Sequence, residues 1–259
     1  KEGKVKRFCY LLRQHWNFCI DMDSDFLIPK DVESISSGWV FSVDKPMGWT
    51  SFDVVAKLRN TIKNRYGVRI KVGHAGTLDP LATGVLVICA GKATKRIESF
   101  VEAHKKYHAQ ITLGAKSKTY DSESEIIPTN ITPPQFSTKI EKEIKSKFTG
   151  LISQKPPIYS AIRVSGERAY KHARKGNEID MPLRQVNIHQ LIFLKTEGEK
   201  WEIEITCSKG TYIRSLANDI GEFLGCGGYL SSLIRTEVGS HTLKNSMALS
   251  DCLKTLETI

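Results

Sequence analysis

Apolar residues along the chain follow the two spacings that distinguish strands from helices. Short runs rich in β-branched and aromatic residues are typical of strands, and apolar residues three or four positions apart are typical of helices. The two patterns are interspersed without a regular strand–helix repeat, which favours an α+β fold around one large sheet. Strands are predicted at residues 39–43, 85–90, 107–113, 159–164, 186–194 and 201–207.

Helices are predicted where an apolar face coincides with a start or stop signal. Ser51 is expected to cap the first helix, and Thr132 with Pro133 is expected to open a second, charged helix that ends at Gly150. The clearest amphipathic pattern ends at Gly225, a residue that commonly terminates helices. The four helices are expected at residues 51–62, 132–148, 213–224 and 247–259.

The chain divides by pattern into three parts. Residues 1–38 lack sustained periodicity and end in a polar, turn-rich stretch, so we interpret them as an extension of unassigned function. Residues 39–245 contain the predicted strands and main helices and are expected to form the main folded domain. Residues 246–259 are expected to add only a short C-terminal helix.

Composition narrows the class of protein. The 259 residues are 40% hydrophobic and 25% charged, as in globular proteins, and the net charge of +10 favours a polyanionic partner, although a well-solvated surface explains it equally well. The six cysteines are scattered without zinc spacing, which predicts reduced structural thiols. The longest apolar run is far shorter than a membrane helix, and no secretory signal is evident, so a cytoplasmic location is expected.

The loop at residues 73–84 concentrates glycines, a histidine and an Asp-Pro pair ahead of an apolar strand. Alone, Asp79 before Pro80 is more typical of a turn than of a catalyst. Two phosphate-binding motifs are excluded nearby. The segment from Gly84 lacks the spacing and the hydroxyl residue of a P-loop, and the glycines at 225–228 follow a helix rather than open one. The sequence therefore predicts neither a cofactor nor a bound metal.

Several motifs, in order, resemble those of the TruB pseudouridine synthases. The longest is Gly73-His-Ala-Gly-Thr-Leu-Asp-Pro-Leu-Ala-Thr-Gly84, which is similar to the signature loop of that family. The resemblance spans about residues 39–240 and implies the pseudouridine synthase fold, a large mixed, mainly antiparallel sheet flanked by helices and loops. The other matching motifs are Asp44-Lys-Pro46, Gly48-Trp-Thr-Ser51, Lys106-Tyr107, Leu113-Gly114, Pro156-Pro-Ile-Tyr-Ser-Ala161 and Cys207-Ser-Lys-Gly-Thr-Tyr-Ile-Arg214.

The resemblance implies isomerisation of uridine to pseudouridine in tRNA, most typically at position 55 of the TΨC loop, without a cofactor. It assigns the catalytic carboxylate to Asp79 and a charge partner to Arg214. It also implies that His74 fills the space left by the flipped base and that Tyr107 stacks on the uracil. Without the resemblance, the two aromatic residues are ordinary strand and loop side chains, and an arginine in a first helical turn usually faces solvent.

Three further residues match family positions at the substrate. Tyr212 and Leu233 are implied to lie near the base, although ordinary core packing explains both. Lys45 is implied either to support the site or to contact a phosphate. Basic residues that could line a groove for RNA phosphates, or simply form solvated faces, are dense at 63–71, 92–96, 104–106 and 168–175.

Two rival functions are considered. A dyskerin-type synthase works inside a guide-RNA particle, but the Leu81-Ala82 pair after Asp79-Pro80 resembles the bacterial type, which implies a monomer with no obligatory protein or guide-RNA partner. The other rival is a tRNA-folding chaperone, in which binding matters more than isomerisation. Many family members also carry a C-terminal RNA-binding PUA domain, for which residues 246–259 leave no room.

Overall fold

A computed structural model describes residues 29, 31–160, 162–164, 166–174 and 179–258. Its helices are α1 (Val32–Gly38), α2 (Ser51–Tyr66), α3 (Ile97–Glu102), α4 (Thr138–Phe148), α5 (Ala169–Arg174), α6 (Ile213–Phe223) and α7 (Leu249–Thr258), with a 3₁₀ turn at Gly91–Arg96. Its strands are β1 (Trp39–Lys45), β2 (Val72–Ala75), β3 (Thr83–Ala90), β4 (Lys105–Leu113), β5 (Ala115–Ser117), β6 (Ile126–Pro128), β7 (Gly150–Gln154), β8 (Arg163–Val164), β9 (Glu167–Arg168), β10 (Arg184–Glu197), β11 (Lys200–Cys207), β12 (Gly228–Val238), β13 (His241–Thr242) and β14 (Met247–Ala248).

One ten-stranded sheet organises the described residues. Its main path runs β14-β1-β3-β12-β4-β11-β10-β7, while β2 pairs with β3 and β13 pairs with β12. The β1–β14 and β3–β12 pairs are parallel, and the other pairs in the sheet are antiparallel. The expected large, mixed and mainly antiparallel sheet is therefore confirmed.

Strand β3 is buried at every position, which explains its unbroken apolar sequence. Leu86 and Ile88 pack in a cluster with residues of α2 and α7. Val85 and Val87, on the other face of the strand, pack against Ile97 and its neighbours in α3. Because both faces of β3 are covered, the loop that leads into it is held by a rigid element.

A second core lies where α4 and α6 pack on strands β4, β10, β11 and β12. Leu216 and Ile220 of α6 are fully buried, as the amphipathic pattern predicts. Leu78 and Ala82, which flank Asp79 in the loop between β2 and β3, belong to the same cluster. The loop is thus anchored by apolar side chains on both sides of its aspartate.

Some predicted boundaries are wrong. Thr50, not Ser51, caps α2, because the Thr50 hydroxyl accepts from the backbone N–H of Asp53 and the Asp53 carboxylate accepts from the Thr50 N–H in return. Helix α4 begins at Thr138 with Ser137 as its cap. The residues before it include prolines, which disfavour helical conformation in the residue that precedes them.

The strand predictions need three corrections. In the range 159–164 only Arg163–Val164 forms a strand, since the Tyr159 carbonyl accepts from Arg214 instead of from a neighbouring strand. The first part of the loop at 73–84 is strand β2, which pairs with β3. Strand β12 was not predicted at all, although it lies between β3 and β4 in the sheet.

The two ends of the described chain pack on the body. Most of the expected extension, residues 1–28 and 30, lies outside the described residues, but in α1 the Ile35 side chain is fully buried. Strand β14 pairs with β1, and α7 packs against α2 through Cys252 and Leu256. The division of the chain at residues 38 and 245 stays a prediction.

The composition led to predictions about membrane-spanning helices and about the cysteines. Within the described ranges, no helix combines the length and apolar character needed to cross a membrane. The four described cysteines are buried and free of disulfides, at positions 89, 207, 226 and 252, while Cys9 and Cys19 lie outside the described residues.

Candidate active site

The loop between β2 and β3 presents Asp79 from a fixed backbone. The Asp79 carbonyl accepts from the N–H of Ala82 at 3.1 Å and closes a turn. One residue earlier, the N–H of Leu78 donates to the Ser51 hydroxyl at 2.9 Å, and that hydroxyl donates to the Leu78 carbonyl at 3.2 Å. Leu78 is buried, whereas 38% of the Asp79 side chain is exposed, so the carboxylate remains open at a rigid position.

Lys45 supports this loop from beneath. Its ammonium donates to the carbonyls of Trp49 at 2.6 Å, Pro46 at 2.9 Å and Pro80 at 3.3 Å. Burial lowers the pKa of Lys45 to about 8, although Asp79 and Asp44 favour its charged form. Since Lys45 is fully buried, its geometry matches the supporting alternative and leaves no access to an RNA phosphate.

Arg214 is the charge partner of Asp79. Its Nη2 donates to Asp79 Oδ1 at 3.2 Å, and its Nε lies 2.9 Å from Oδ2 as a charge contact outside hydrogen-bond geometry. The guanidinium also donates to the carbonyls of Thr119 at 3.2 Å and Tyr159 at 3.1 Å. Although it lies in the first turn of α6, Arg214 is only 5% exposed, so the solvent-facing alternative is excluded.

A second carboxylate, Asp121, also contacts Arg214. Its Oδ2 is 3.6 Å from the Nε of Arg214, and its Oδ1 accepts from the Thr119 hydroxyl at 2.5 Å and the Glu123 N–H at 2.9 Å. Burial raises the pKa of the Asp121 carboxyl, while these hydrogen bonds and the Arg214 charge oppose that shift. The Nε of Arg214 therefore lies near two acids, the buried Asp121 and the open Asp79.

Tyr107 and Leu233 lie together in the core cluster that includes Leu78. Both side chains are 8% exposed. Burial raises the pKa of Tyr107. The structure thus packs these two residues in one cluster with Leu78, the residue before Asp79, and their contacts with the base stay predictions.

Tyr212 and His74 flank the site from other elements. Tyr212 precedes α6, and its backbone N–H and carbonyl are both bonded by the Gln154 amide, at 2.8 and 3.0 Å. Burial raises the pKa of Tyr212, with a small contribution from Asp79. Burial and the Arg235 charge lower the pKa of His74, whose Nδ1 is buried without a hydrogen-bond partner. A buried imidazole nitrogen without a hydrogen-bond partner therefore lies five residues before Asp79.

Sequence reasoning missed three contributors: Asp121, Gln154 and Arg235. All are polar residues buried to at least 96%, and the burial of a polar residue carries no local sequence signal.

The prediction for Lys105 is wrong. It was expected among the phosphate-binding basic residues, but its ammonium is buried against the carbonyls of α3 residues and of Ala103. Across the described part of the chain, no group of His, Cys, Asp or Glu residues is arranged to hold a metal ion.

The sequence matches two family models that are contiguous along the chain. Residues 63–213 match the N-terminal domain of the TruB family pseudouridylate synthases, and residues 214–258 match the tRNA pseudouridylate synthase B C-terminal domain. The boundary falls between Ile213 and Arg214. Asp79 and its arginine partner therefore lie in different matched segments.

Curated relatives named tRNA pseudouridine synthase B are similar over most of this chain. The protein from Phocaeicola vulgatus is 47% identical over 221 residues, which cover 85% of this chain and 91% of the relative. The protein from Flavobacterium johnsoniae is 41% identical over 220 residues, covering 84% and 96%.

Solved structures show the same fold. The chain aligns with a structure titled as an H/ACA RNP bound to a substrate RNA containing 2′-deoxyuridine, with a TM-score of 0.62, 26% identity and coverage of 87% of this chain and 55% of that one. It aligns with a Cbf5-Nop10-Gar1 complex with a TM-score of 0.63, 29% identity and coverage of 87% and 56%. The matched family models and the curated relatives together show that this chain belongs to the TruB family of pseudouridylate synthases.

Proposed function

We propose that this protein isomerises uridine to pseudouridine in tRNA, at position 55 of the TΨC loop, with Asp79 as the essential carboxylate. The observation that carries the proposal is the Asp79–Arg214 pair. An open carboxylate, 38% exposed, is held on a rigid loop by a guanidinium that is 6% exposed. A carboxylate stabilised as an anion and open to a ligand can either bond to an electron-poor carbon or stabilise positive charge there.

The reaction requires such a group. The glycosidic C–N bond breaks, the uracil turns, and a C–C bond forms from C1′ to C5 of the base. The C5 hydrogen then leaves as a proton and N1 takes up a proton from solvent, so the product is an isomer of the substrate. When the C–N bond breaks, positive charge develops at the ribose, which the Asp79 carboxylate stabilises directly or as a covalent ester. The alternative route begins with proton loss at C2′, for which the same carboxylate serves as the base. The two routes differ in whether a 2′-deuterium slows the reaction.

The neighbouring residues suit an everted base. Removing a stacked base from an RNA loop costs a few kcal/mol, which contacts to the protein must offset. In this proposal the Tyr107 ring stacks on the uracil, a contact worth roughly 1–3 kcal/mol per base, and Leu233 and Tyr212 lie near the base. In this proposal His74 fills the space that the everted base leaves in the RNA loop.

Exposed basic side chains cluster at the end of the β2–β3 hairpin opposite the Asp79 turn. Arg65, Arg69 and Lys71 are exposed and precede β2, which carries His74. Lys92 and Lys95 are exposed in the turn after β3, and Gly91 N–H donates to the Lys71 carbonyl at 2.8 Å, so the two segments are adjacent. Phosphate contacts from such residues position RNA without reading its sequence.

Relatives support a stand-alone enzyme. The tRNA pseudouridine synthase B proteins are 41–47% identical to this chain, whereas the H/ACA and Cbf5 complexes are 26–29% identical. We therefore propose that it acts as a monomer in the cytoplasm, without a guide RNA, a protein partner or a cofactor.

The experiment is to incubate the purified protein with unmodified tRNA transcript and map pseudouridine by carbodiimide-dependent stops of reverse transcription. A stop assigned to position 55, absent when that uridine is replaced by cytidine, supports the proposal. Modification elsewhere overturns the assigned position, and modification that requires an added guide RNA overturns stand-alone action.

A further inference from the structure

Arg235 lies in the centre of the sheet beside the Asp79 loop. It pairs in register with Gly84 of β3 on one side and with Tyr107 of β4 on the other. Side chains of directly paired residues point to the same face of a sheet. Arg235 and Tyr107 are therefore neighbours on one face, and Arg235 is only 1% exposed.

The guanidinium of Arg235 binds the backbone on both sides of the loop. Nε donates to the carbonyl of Val85 at 2.7 Å, just after the loop. Nη2 donates to the carbonyl of Gly76 at 3.0 Å, and Nη1 lies 3.5 Å from that of Thr77, just before Asp79. A planar guanidinium can serve several such acceptors at fixed angles, whereas the ammonium of lysine is a single point.

The same side chain lies beside Tyr107. The two residues are directly paired across β12 and β4, and the Arg235 charge opposes the rise that burial causes in the pKa of the Tyr107 hydroxyl. Arg235 thus connects the ring expected to stack on the base with the backbone two residues before the carboxylate.

Gly84 makes this close approach possible. Its φ is +102°, and a Cβ there would meet the Arg235 carbonyl oxygen at 2.2 Å and the Arg235 nitrogen at 2.8 Å. Only glycine allows β12 to lie this close to the end of the loop. Strand β12 is therefore packed closely enough for Arg235 to reach the loop.

We infer that Arg235 is a positioning residue that fixes the Asp79 loop relative to the Tyr107 ring. The inference rests on the proposed function, because it assumes that Asp79 reacts with the nucleoside on which Tyr107 stacks. Arg235 touches neither reacting atom. It acts through the carbonyls of Gly76 and Thr77 and through its position directly opposite Tyr107 in the sheet. A shift of about 1 Å between reacting groups lowers a rate by about 100-fold.

The test is a double-mutant cycle with Arg235→Lys and Tyr107→Phe, measured as single-turnover rates at saturating unmodified tRNA. We expect Arg235→Lys to lower the rate by about 100-fold while the Kd for tRNA stays close to that of the wild type. Because the two residues act as a unit, the double variant should be at least about fivefold faster than the product of the two single losses predicts. Multiplicative losses would overturn the inference.

Lys105→Met is the matched control. Lys105 is also a buried cation that donates to three backbone carbonyls, but these belong to Phe100, Val101 and Ala103 rather than to the loop. We expect it to lower Tm while the single-turnover rate of the folded protein stays close to that of the wild type. An equal loss of rate at an equal loss of Tm would show that Arg235 acts only through global stability.

Two outcomes keep the inference separate from the proposed function. If Arg235→Lys does not fold, the rate of Tyr107→Phe tests the inference alone. A rate lowered at least about tenfold at unchanged Kd supports the connection between Arg235 and Tyr107, and an unchanged rate contradicts it.

If the wild type forms no pseudouridine, both the proposed function and this inference fail. If the wild type is active and the cycle is multiplicative, only the inference fails.

Discussion

The Arg214 guanidinium approaches both carboxylate oxygens of Asp79, at 3.2 Å from Nη2 to Oδ1 and 2.9 Å from Nε to Oδ2. A cation in the first turn of a helix opposes the helix dipole. Here the position is stabilised by two carboxylates near the Nε of Arg214, that of Asp79 at 2.9 Å and that of Asp121 at 3.6 Å. The carboxylate is therefore held as an anion in a fixed orientation while its surface stays open to a ligand.

Replacing Arg214 by lysine should separate charge from geometry. A lysine ammonium retains the charge, but it lacks the planar set of N–H groups that donates to the Asp79 carboxylate and to the carbonyls of Thr119 and Tyr159. We expect the single-turnover rate to fall by about 100-fold or more and the free energy of unfolding to fall by about 3 kcal/mol, measured by rapid quench and by urea unfolding. A variant with wild-type rate would show that Asp79 needs only a nearby positive charge.

Asp121→Asn should lower the rate without weakening RNA binding. The asparagine oxygen can still accept from Thr119 and Glu123, but the negative charge behind Arg214 is lost. We expect a rate roughly 10- to 100-fold lower with an unchanged Kd, measured by single turnover and filter binding. Asp251→Asn, on an exposed carboxylate in α7, should leave both unchanged. A wild-type rate for Asp121→Asn would remove this residue from the account.

Gly84→Ala should be strongly destabilising. The added Cβ would lie 2.2 Å from the Arg235 carbonyl oxygen at a φ of +102°, which predicts a loss of about 3 kcal/mol or more in the free energy of unfolding. Gly150→Ala is the matched control, because its φ is +85° but nothing lies within 4 Å of the added atom. It should lose only about 1–2 kcal/mol. Equal losses in urea unfolding would contradict the role of close packing at Gly84.

Lys45 predicts a specific dependence of stability on pH. Burial lowers its pKa to about 8 in the folded protein, from 10.5 in an unperturbed lysine. Between these values the unfolded chain binds the additional proton, so the contribution of Lys45 to stability increases as pH rises. Relative to Lys45→Met, the wild type should gain about 1 kcal/mol per pH unit between pH 8 and pH 10, measured by urea unfolding. If the free energies of unfolding of the two proteins changed with pH in parallel, the pKa of Lys45 would not be lowered in the folded protein.

Much of the fold was predictable because apolar periodicity reports burial directly. The pattern from Ile213 to Phe223 predicted α6, and the unbroken run at 85–90 predicted the centre of β3. Strand β12 escaped because its buried positions, which include Leu230, Leu233 and Arg235, do not alternate. Its pairing with β4 contains two register irregularities, which break the two-residue period on which strand prediction depends.

The site was predictable only in part, because the burial of charged residues is not visible in the sequence. Family motifs pointed to Asp79 and Arg214, and the structure brings the two into contact although 135 positions separate them in the chain. Asp121 and Arg235 carry no comparable signal, because a charged residue in a sequence is normally expected at the surface. Their burial depends on partners supplied by other elements, namely Thr119 and Arg214 for Asp121 and the loop carbonyls for Arg235.

Tritium release from tRNA labelled at C5 of uridine shows whether the Asp79 carboxylate carries out the isomerisation. Forming the new C–C bond displaces that hydrogen, so the wild type should release tritium in a stoichiometric amount relative to tRNA. Asp79→Asn should bind the same tRNA with similar affinity and release tritium at less than about one thousandth of the wild-type rate. Release by Asp79→Asn at a rate near that of the wild type would contradict the account.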